Sequence, residues 1–443
     1  MADSRLHDQL GSFRRVVRGV TEPTTFSGRL FHDVDDSRLH LTALDPDPLA
    51  SLERGFGQIT TPPECLLGST EVGGVVLFNL SSTGWTFASG LSKESVLRFG
   101  IGDAAIGLDI EHFRDLRIRG ASVVFPDALR WANESTITSK SHRDAKGRLT
   151  AVDLKIKASN APSSGPLSKS RTLTLSGDWQ VLEEGSSVTV SSGLDVNVAA
   201  KRARNPEELL KPLRDIQLLL AVALQRPVMA TRGAISLNGL NDSSQLWDYQ
   251  LFERTAHRAP AKGGVDWPCF GLADLNGISG LRRWVDLCEA HPRAVGHLRG
   301  YTHGFGTLES ELRTIAAGIE YWVALHRRRK APWALKKGSN KQKEYMLPLR
   351  LAWKAGKPFA DLVDGGVEQW AKQFWDSYNA LKHDPGRQLN GSDLAFHTAV
   401  GLFLFETTLL NHCAGSQAPA RAFLSHYQGQ QLRSAVQAAG IYK

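Results

Sequence analysis

The chain offers little sulfur chemistry. Its four cysteines, Cys65, Cys269, Cys288 and Cys413, stand far apart with no CxxC pair among 443 residues. A disulfide framework or a zinc knuckle needs cysteines clustered at ligand spacing, so both are excluded, and buried free thiols in a reducing compartment are expected. Long apolar runs are also missing. LLLAVAL at 218–224 and AVGLFLFETTLL at 399–410 fall short of the roughly 18–20 residues that cross a bilayer. The opening MADSRLHDQLGSFRRVV carries charges throughout and no signal-peptide core. A cytoplasmic protein without a membrane partner is expected.

Nucleotide and metal motifs are absent too. RFGIGDAAIG at 98–107 reads GxGxxxxG rather than GxGxxG, lies in strand-like sequence and leads into no helix. No GxxxxGK[ST] occurs, no GxSxG marks a nucleophile elbow, and SHRD at 141–144 and the scattered histidines lack ligand spacing. No cofactor and no metal site is expected.

What is present is ordinary bulk and an uneven charge. Hydrophobic residues make up 42% and charged residues 22%, as in soluble globular proteins, and the length exceeds what one core usually serves. Of the net charge of +8, the stretch from Arg327 to Lys357 holds eleven Lys/Arg against Glu344 alone, so everything outside it sums to −2. A basic excess gathered in one patch points to a polyanionic partner more than a diffuse one does. A solvated basic loop is the other reading.

The hydrophobic period changes along the chain. From about residue 24 to 200, RLFHDVDDSRLHLTAL, GGVVLFNL, LRIRGASVVF, AVDLKIKA, RTLTLSGDWQVL and SSVTVSS read as strands, with DSR, TGW and NAPSSGP as turns. This predicts a mainly antiparallel sheet or sandwich over 24–256, after a tail at 1–23. NPEELLKPLRDIQLLLAVALQ predicts one helix packed on that sheet: Asn205 caps it, Pro206 opens it, and Glu207 and Glu208 suit its first turn. Pro212 predicts either a kink or a later start. HRAPAKGGVDWP at 257–268 reads as a linker. From 269 to 443 the pattern is helical, an α-bundle of five or six helices, in which Leu308, Leu312, Ile315, Ile319, Trp322 and Val323 form one face. The fold class is therefore α+β with segregated halves.

Polar chemistry gathers at the end of one of these helices, in DSYNALKHDPGR. Val367, Trp370, Ala371, Phe374, Tyr378 and Leu381 recur at helical spacing and should face the core. Asn379 and His383, at i and i+4, share a neighbouring face beside Lys382, and Pro385-Gly386 end the helix before Arg387. A histidine in a last turn is favoured in its protonated form by the helix dipole, and Lys382 opposes this. Capping of the helix end is the plain alternative.

These residues resemble the HEPN superfamily, whose late helix carries an Arg-Asn-x-x-x-His motif. FSGRLF, IRGASVVFPDALRWANES and NPEELLKPLRDIQLLLAVAL, followed by LESELRTIAAGIEYWVALH and YNALKH, together resemble the ApeA family of anti-phage abortive-infection proteins over about residues 26–415. The resemblance implies a β-rich sensor or regulatory domain, then a HEPN domain that dimerises and cleaves RNA, often tRNA, without metal, after an unidentified phage trigger. It implies His383 as general acid or base, Asn379 orienting it or binding phosphate, and Glu320 as an acidic partner. The position matching the motif arginine is Tyr378, which lacks the permanently charged planar fork; Lys382 or Arg387 could supply that charge, or the site could bind RNA or a nucleotide without cutting it. In the basic run, Arg327, Arg328, Arg329, Lys330, Lys336, Lys337, Lys341 and Lys343 would contact phosphates and Trp333 would stack on a base or anchor the loop.

Overall fold

The computed structural model describes residues 8–17, 20–33, 38–43, 65–71, 73–86, 96–106, 117–132, 137–156, 163–184, 187–230, 232–237, 243–248, 267–335, 346–384 and 389–442. The chain forms two compact units. One comprises Met1–Leu129, Ser135–Gln217 and Met229–Gly263; the other comprises Arg130–Glu134, Leu218–Val228 and Gly264–Lys443.

The first unit is an antiparallel sheet. Its strands are β1 (Gln9–Val17), β2 (Val20–Asp33), β3 (Arg38–Ala43), β4 (Cys65–Thr70), β5 (Gly73–Thr86), β6 (Val96–Ile106) and β7 (Ile118–Phe125). They are followed by β8 (Ile137–Arg143), β9 (Leu149–Ile156), β10 (Ser163–Pro166), β11 (Arg171–Glu184), β12 (Ser187–Arg204), β13 (Arg232–Leu237) and β14 (Ser243–Asp248). Strands β6, β3, β2, β1, β4 and β5 pair in that order and β5 returns to β6, closing a six-stranded ring. Closure removes the free edges that an open sheet would expose. Period-two alternation turns Phe13, Phe26, Leu30, Leu41, Leu77 and Phe99 to one buried cluster. From β6 the sheet continues through β14, β13, β7, β12 and β11 to β10, and β8–β9 forms a separate hairpin.

Several sequence expectations change here. Residues 9–17, read as part of a tail, form β1, paired with both β2 and β4. TGW, read as a turn, lies inside β5, where the register with β6 shifts between Ser82 and Gly84; the turn residues mark a bulge. NAPSSGP, read as a turn, ends in the edge strand β10, a place where proline is tolerated. The linker expected at 257–268 lies outside the described residues except for Trp267 and Pro268.

Helix α1 (Pro206–Leu224) starts where its cap predicts, with the Glu207 amide donating to Asn205 Oδ1 at 3.0 Å. It runs unbroken through Pro212. Its residues divide, those to Gln217 counting with the sheet and those from Leu218 with the helices. Arg214 fixes its first half on β6, with Nη2 2.6 Å from Oδ1 of the fully buried Asp103 and Nη1 2.7 Å from Glu207.

The second unit is helical: α2 (Gly277–Ala290), α3 (Leu308–Arg328), α4 (Met346–Ala355), α5 (Lys357–Leu362), α6 (Val367–His383), α7 (Gly391–Ala414), α8 (Ala418–Ser425) and α9 (Tyr427–Ala439). Short helical turns at 292–303 join α2 to α3. Helices α3, α4, α6 and α7 each pack on the other three, forming a four-helix core. Gly401 of α7 lies under the Phe374 ring of α6, so the two backbones approach more closely than a larger residue allows. Helices α8 and α9 are separated at His426, which adopts an extended conformation (ψ 150°) and whose imidazole caps α9.

Helix α7 is long and apolar enough to cross a membrane by length and composition, but 67% of its most apolar stretch is buried. It is the central helix of the core.

Candidate functional site

Helix α6 is built to hold its polar end still. Trp370, Ala371, Phe374, Trp375 and Tyr378 are buried along one face, and the chain leaves the helix at Asp384, whose amide donates to the Ala380 carbonyl. His383 is therefore the last helical residue, and it is exposed, as is Lys382. Asn379, one turn earlier, is half-buried. The helix places Asn379 and His383 on one face at the surface of the bundle, as their spacing requires.

Tyr378 turns inward instead. It is 6% exposed, and its hydroxyl donates to Glu320 Oε2 of α3 at 3.4 Å. Burial, and then the Glu320 carboxylate, push its phenol above the ordinary range, with Lys382 pulling the other way. The Lys382 ammonium lies over the Tyr378 ring, 5.4 Å from its centroid. Tyr378 and Glu320 are thus brought together, and Lys382 is held beside them. Arg387 lies outside the described residues.

One residue of this site escapes sequence reading. Arg313, on the second turn of α3, donates through Nη2 to the Leu381 carbonyl in the last turn of α6. Cations at a helix C-terminus are favoured by the unpaired carbonyls there. The guanidinium therefore sits two residues from His383 along α6, although it is 68 residues away from Leu381 in the chain. The only signal for it was its position on a helix expected to pack near the motif.

The basic segment is partly structural. Arg327 Nε donates to the Ala334 carbonyl at 3.0 Å, and Arg350, 4% exposed, donates to the same carbonyl at 3.0 Å and to that of Leu335. Trp333 is half-buried with its ring 5.0 Å from that of His326, so it anchors the turn after α3 on the bundle. Arg328, Arg329 and Lys330 are exposed, and Arg329 reaches His291 Nε2 at 3.4 Å. Lys336, Lys337, Lys341 and Lys343 lie outside the described residues. Beneath the strip, His291, His326 and His412 surround Trp322. Burial first, with neighbouring charges adding to it, shifts all three toward the neutral imidazole; for His326 the Trp322 carbonyl opposes the shift. Among the described residues no group of His, Cys, Asp or Glu is arranged to hold a metal ion.

Comparison with protein families bears on this geometry. The family described as ApeA N-terminal domain 1 matches residues 22–269, and the family described as Apea-like HEPN matches residues 315–419. The second match runs from the middle of α3 through α6 and α7, and so contains Glu320, Tyr378, Asn379 and His383. The chain belongs to the ApeA family of anti-phage defence proteins with a C-terminal HEPN domain. Searches of curated proteins and of solved structures returned no match.

Proposed function

We propose that this protein is a cytoplasmic abortive-infection effector whose helical unit cleaves RNA, with tRNA as a candidate, without a metal ion. The observation that carries this reading is the exposed His383 with the half-buried Asn379 one turn before it at the end of a packed helix, and the cation of Arg313 bound to that same helix end. RNA brings its own nucleophile. His383 takes the proton of a ribose 2′-hydroxyl, the 2′ oxygen attacks phosphorus, and the bond to the 5′ oxygen breaks as that oxygen gains a proton. The products are a 2′,3′-cyclic phosphate and a 5′-hydroxyl. The proton for the leaving oxygen comes from a second group, a role that His383 of a second copy fills if the motif helices meet across a two-fold axis. Asn379 orients the imidazole or the phosphate. Arg313 supplies the permanent charge that Tyr378 lacks, stabilising the phosphorane oxygens. The β-rich unit senses the phage trigger or restrains the helical unit.

Cleavage of total bacterial RNA by purified protein in EDTA, beside His383→Ala, tests this. Cyclic-phosphate ends present with the parent and absent with the variant are expected. Equal cleavage by both proteins removes His383 from the mechanism.

One observation favours a second reading. Tyr378 is buried against Glu320 and presents no cationic fork to a phosphate. In that reading the unit binds RNA or a nucleotide through Arg328, Arg329 and Lys330 without cutting it.

A further inference from the structure

The turns that precede α3 read GHLRGYTHGFGT, and in the structure they border a cavity of about 140 Å³ against the first two turns of that helix. Gly304 takes φ +85° and ψ 144°, a conformation open in practice only to glycine. Phe305 lies across Gly300, where a β-carbon would strike its ring, and meets Tyr301 edge-on at 5.0 Å. The loop thus offers a flat floor of backbone with an aromatic ring beside it. Phe305 is 42% exposed, so its ring is open to a second planar group.

His297 lines the cavity and is 7% exposed. One face of its ring stacks on Phe405 at 4.6 Å. Both ring nitrogens are buried with no hydrogen-bond partner of sound geometry. The Ala294 carbonyl lies near enough to favour the charged ring slightly, yet completes no bond to it. Neither nitrogen is reached from the open space of the cavity, so His297 serves there as part of the wall. Burial outweighs that carbonyl and pushes the His297 imidazole down to about 3, so it stays neutral, with one donor and one acceptor nitrogen.

The rest of the lining accepts hydrogen bonds. Ser310 and Thr314 each give their hydroxyl proton to a backbone carbonyl one turn back, at 2.8 Å in both cases, and present oxygen lone pairs to the cavity. Glu311 adds a half-buried carboxyl, raised by burial. Among the described residues no lysine or arginine lines the cavity, so none of them would hold a phosphate there. Ile315 and Leu402 supply apolar wall. The complementary ligand is small and planar, with apolar faces and several N–H groups along one edge.

We propose that this cavity binds a nucleobase of the RNA, with a guanine-type edge of imino and amino donors read by the Glu311 carboxylate beside the Ser310 and Thr314 oxygens. The proposal rests on the RNA-cleaving reading of the helix end and adds a base preference to it. Its location fits: Arg313, between the cavity residues Glu311 and Thr314, turns to the last turn of α6. A strand whose phosphate lies at His383 can therefore extrude a neighbouring base into the cavity. Apart from Ile315 and Leu402, the lining residues precede the HEPN match, which begins at residue 315.

The test is titration of the full-length protein with guanosine, adenosine, cytidine and uridine, followed by saturation-transfer NMR and calorimetry. Saturable binding that favours guanosine is expected. Glu311→Gln should weaken it about 10- to 100-fold, the worth of a hydrogen bond to a charged group. Phe305→Ala, which removes the exposed ring beside the glycine floor, should weaken it as well. Glu311 is only half-buried and Phe305 is exposed, so both variants should fold as the parent does. No saturable binding of any nucleoside overturns the proposal, as does guanosine affinity indifferent to Glu311→Gln. Competition by inorganic phosphate or spermidine does so too, by making the cavity an ion site. Binding is read without cleavage, so guanosine binding by a protein that cuts no RNA sinks the nuclease reading alone. Cleavage without nucleoside binding sinks the base pocket alone.

Discussion

His383→Ala should lower RNA cleavage by about 100-fold or more, the usual span for removing a general acid or base. Arg313 makes the companion prediction. Arg313→Met keeps much of the side-chain stem and removes the charge at the end of α6. It should lower the cleavage rate by about 100-fold, the lower end of losses for a single charge-stabilising donor. Arg313→Lys should restore part of that rate, because a point charge replaces the charge without the fork. Rates measured on a defined oligonucleotide decide the matter; an Arg313→Met rate equal to the parent's would return the missing charge to Lys382 or Arg387. Tyr378 explains why the charge has to come from elsewhere. A phenol buried against Glu320 belongs to the packing between α3 and α6, and a guanidinium could not occupy that place without burying a charge.

Helix α3 carries three separable functions along its length. Its first turns border the cavity and send Arg313 to α6, its middle packs in the four-helix core, and its end presents the basic strip. Leu308, expected on its buried face, is 38% exposed, because Thr307 caps the helix there and the core begins at Leu312. The strip should act as an electrostatic unit. Reversing Arg328, Arg329 and Lys330 to glutamate should weaken RNA binding and make affinity less sensitive to salt. The plot of log affinity against log salt should flatten by about 2 in slope, at about 0.7 for each phosphate of a single strand that the strip neutralises. Filter binding across a salt series measures it. An unchanged slope would make the strip a solvated helix end. Arg327 is left out of the triple because its guanidinium holds the Ala334 carbonyl, so its loss would also disturb the turn after α3.

At the scale of the whole molecule, each unit holds an ionic or polar anchor inside an apolar core. In the sheet unit it is Asp103 with Arg214. In the helical unit it is Glu406, 1% exposed, which accepts hydrogen bonds from Tyr301 at 3.0 Å and Gln225 at 3.2 Å. Burial pushes the Glu406 carboxyl up from 4.5 to about 8. The folded state thus holds a proton that the unfolded chain has released over that window. Its contribution to stability is full below pH 4.5 and is lost as the pH rises through about 8. Glu406→Gln keeps the shape and removes the titration. The variant should gain on the parent by about 2–4 kcal/mol between pH 5 and pH 8. Thermal melts across that range read the difference, and parallel stability curves for the two proteins would show that Glu406 does not titrate there.

The sequence by itself determined the segregated α+β plan, the start of α1, the run of helices and the Asn379–His383 face, because each depends on local periodicity and capping. Closure of the sheet into a ring was not legible, since pairing of β5 with both β4 and β6 joins residues that no local pattern links. The same limit hid β1, where Arg14 and Arg15 stand together between the buried Phe13 and Val16 and a register shift breaks the period of two, and the strands that hold TGW and SSGP. At the site, tertiary structure alone decided that Tyr378 turns inward to Glu320, that Trp333 anchors a turn, and that Arg313 reaches α6. It alone assembled the cavity that Phe305 and Glu311 border. Helical spacing fixes which side chains share a face; which face meets another helix, and what that contact leaves unsatisfied, is settled only when the core packs.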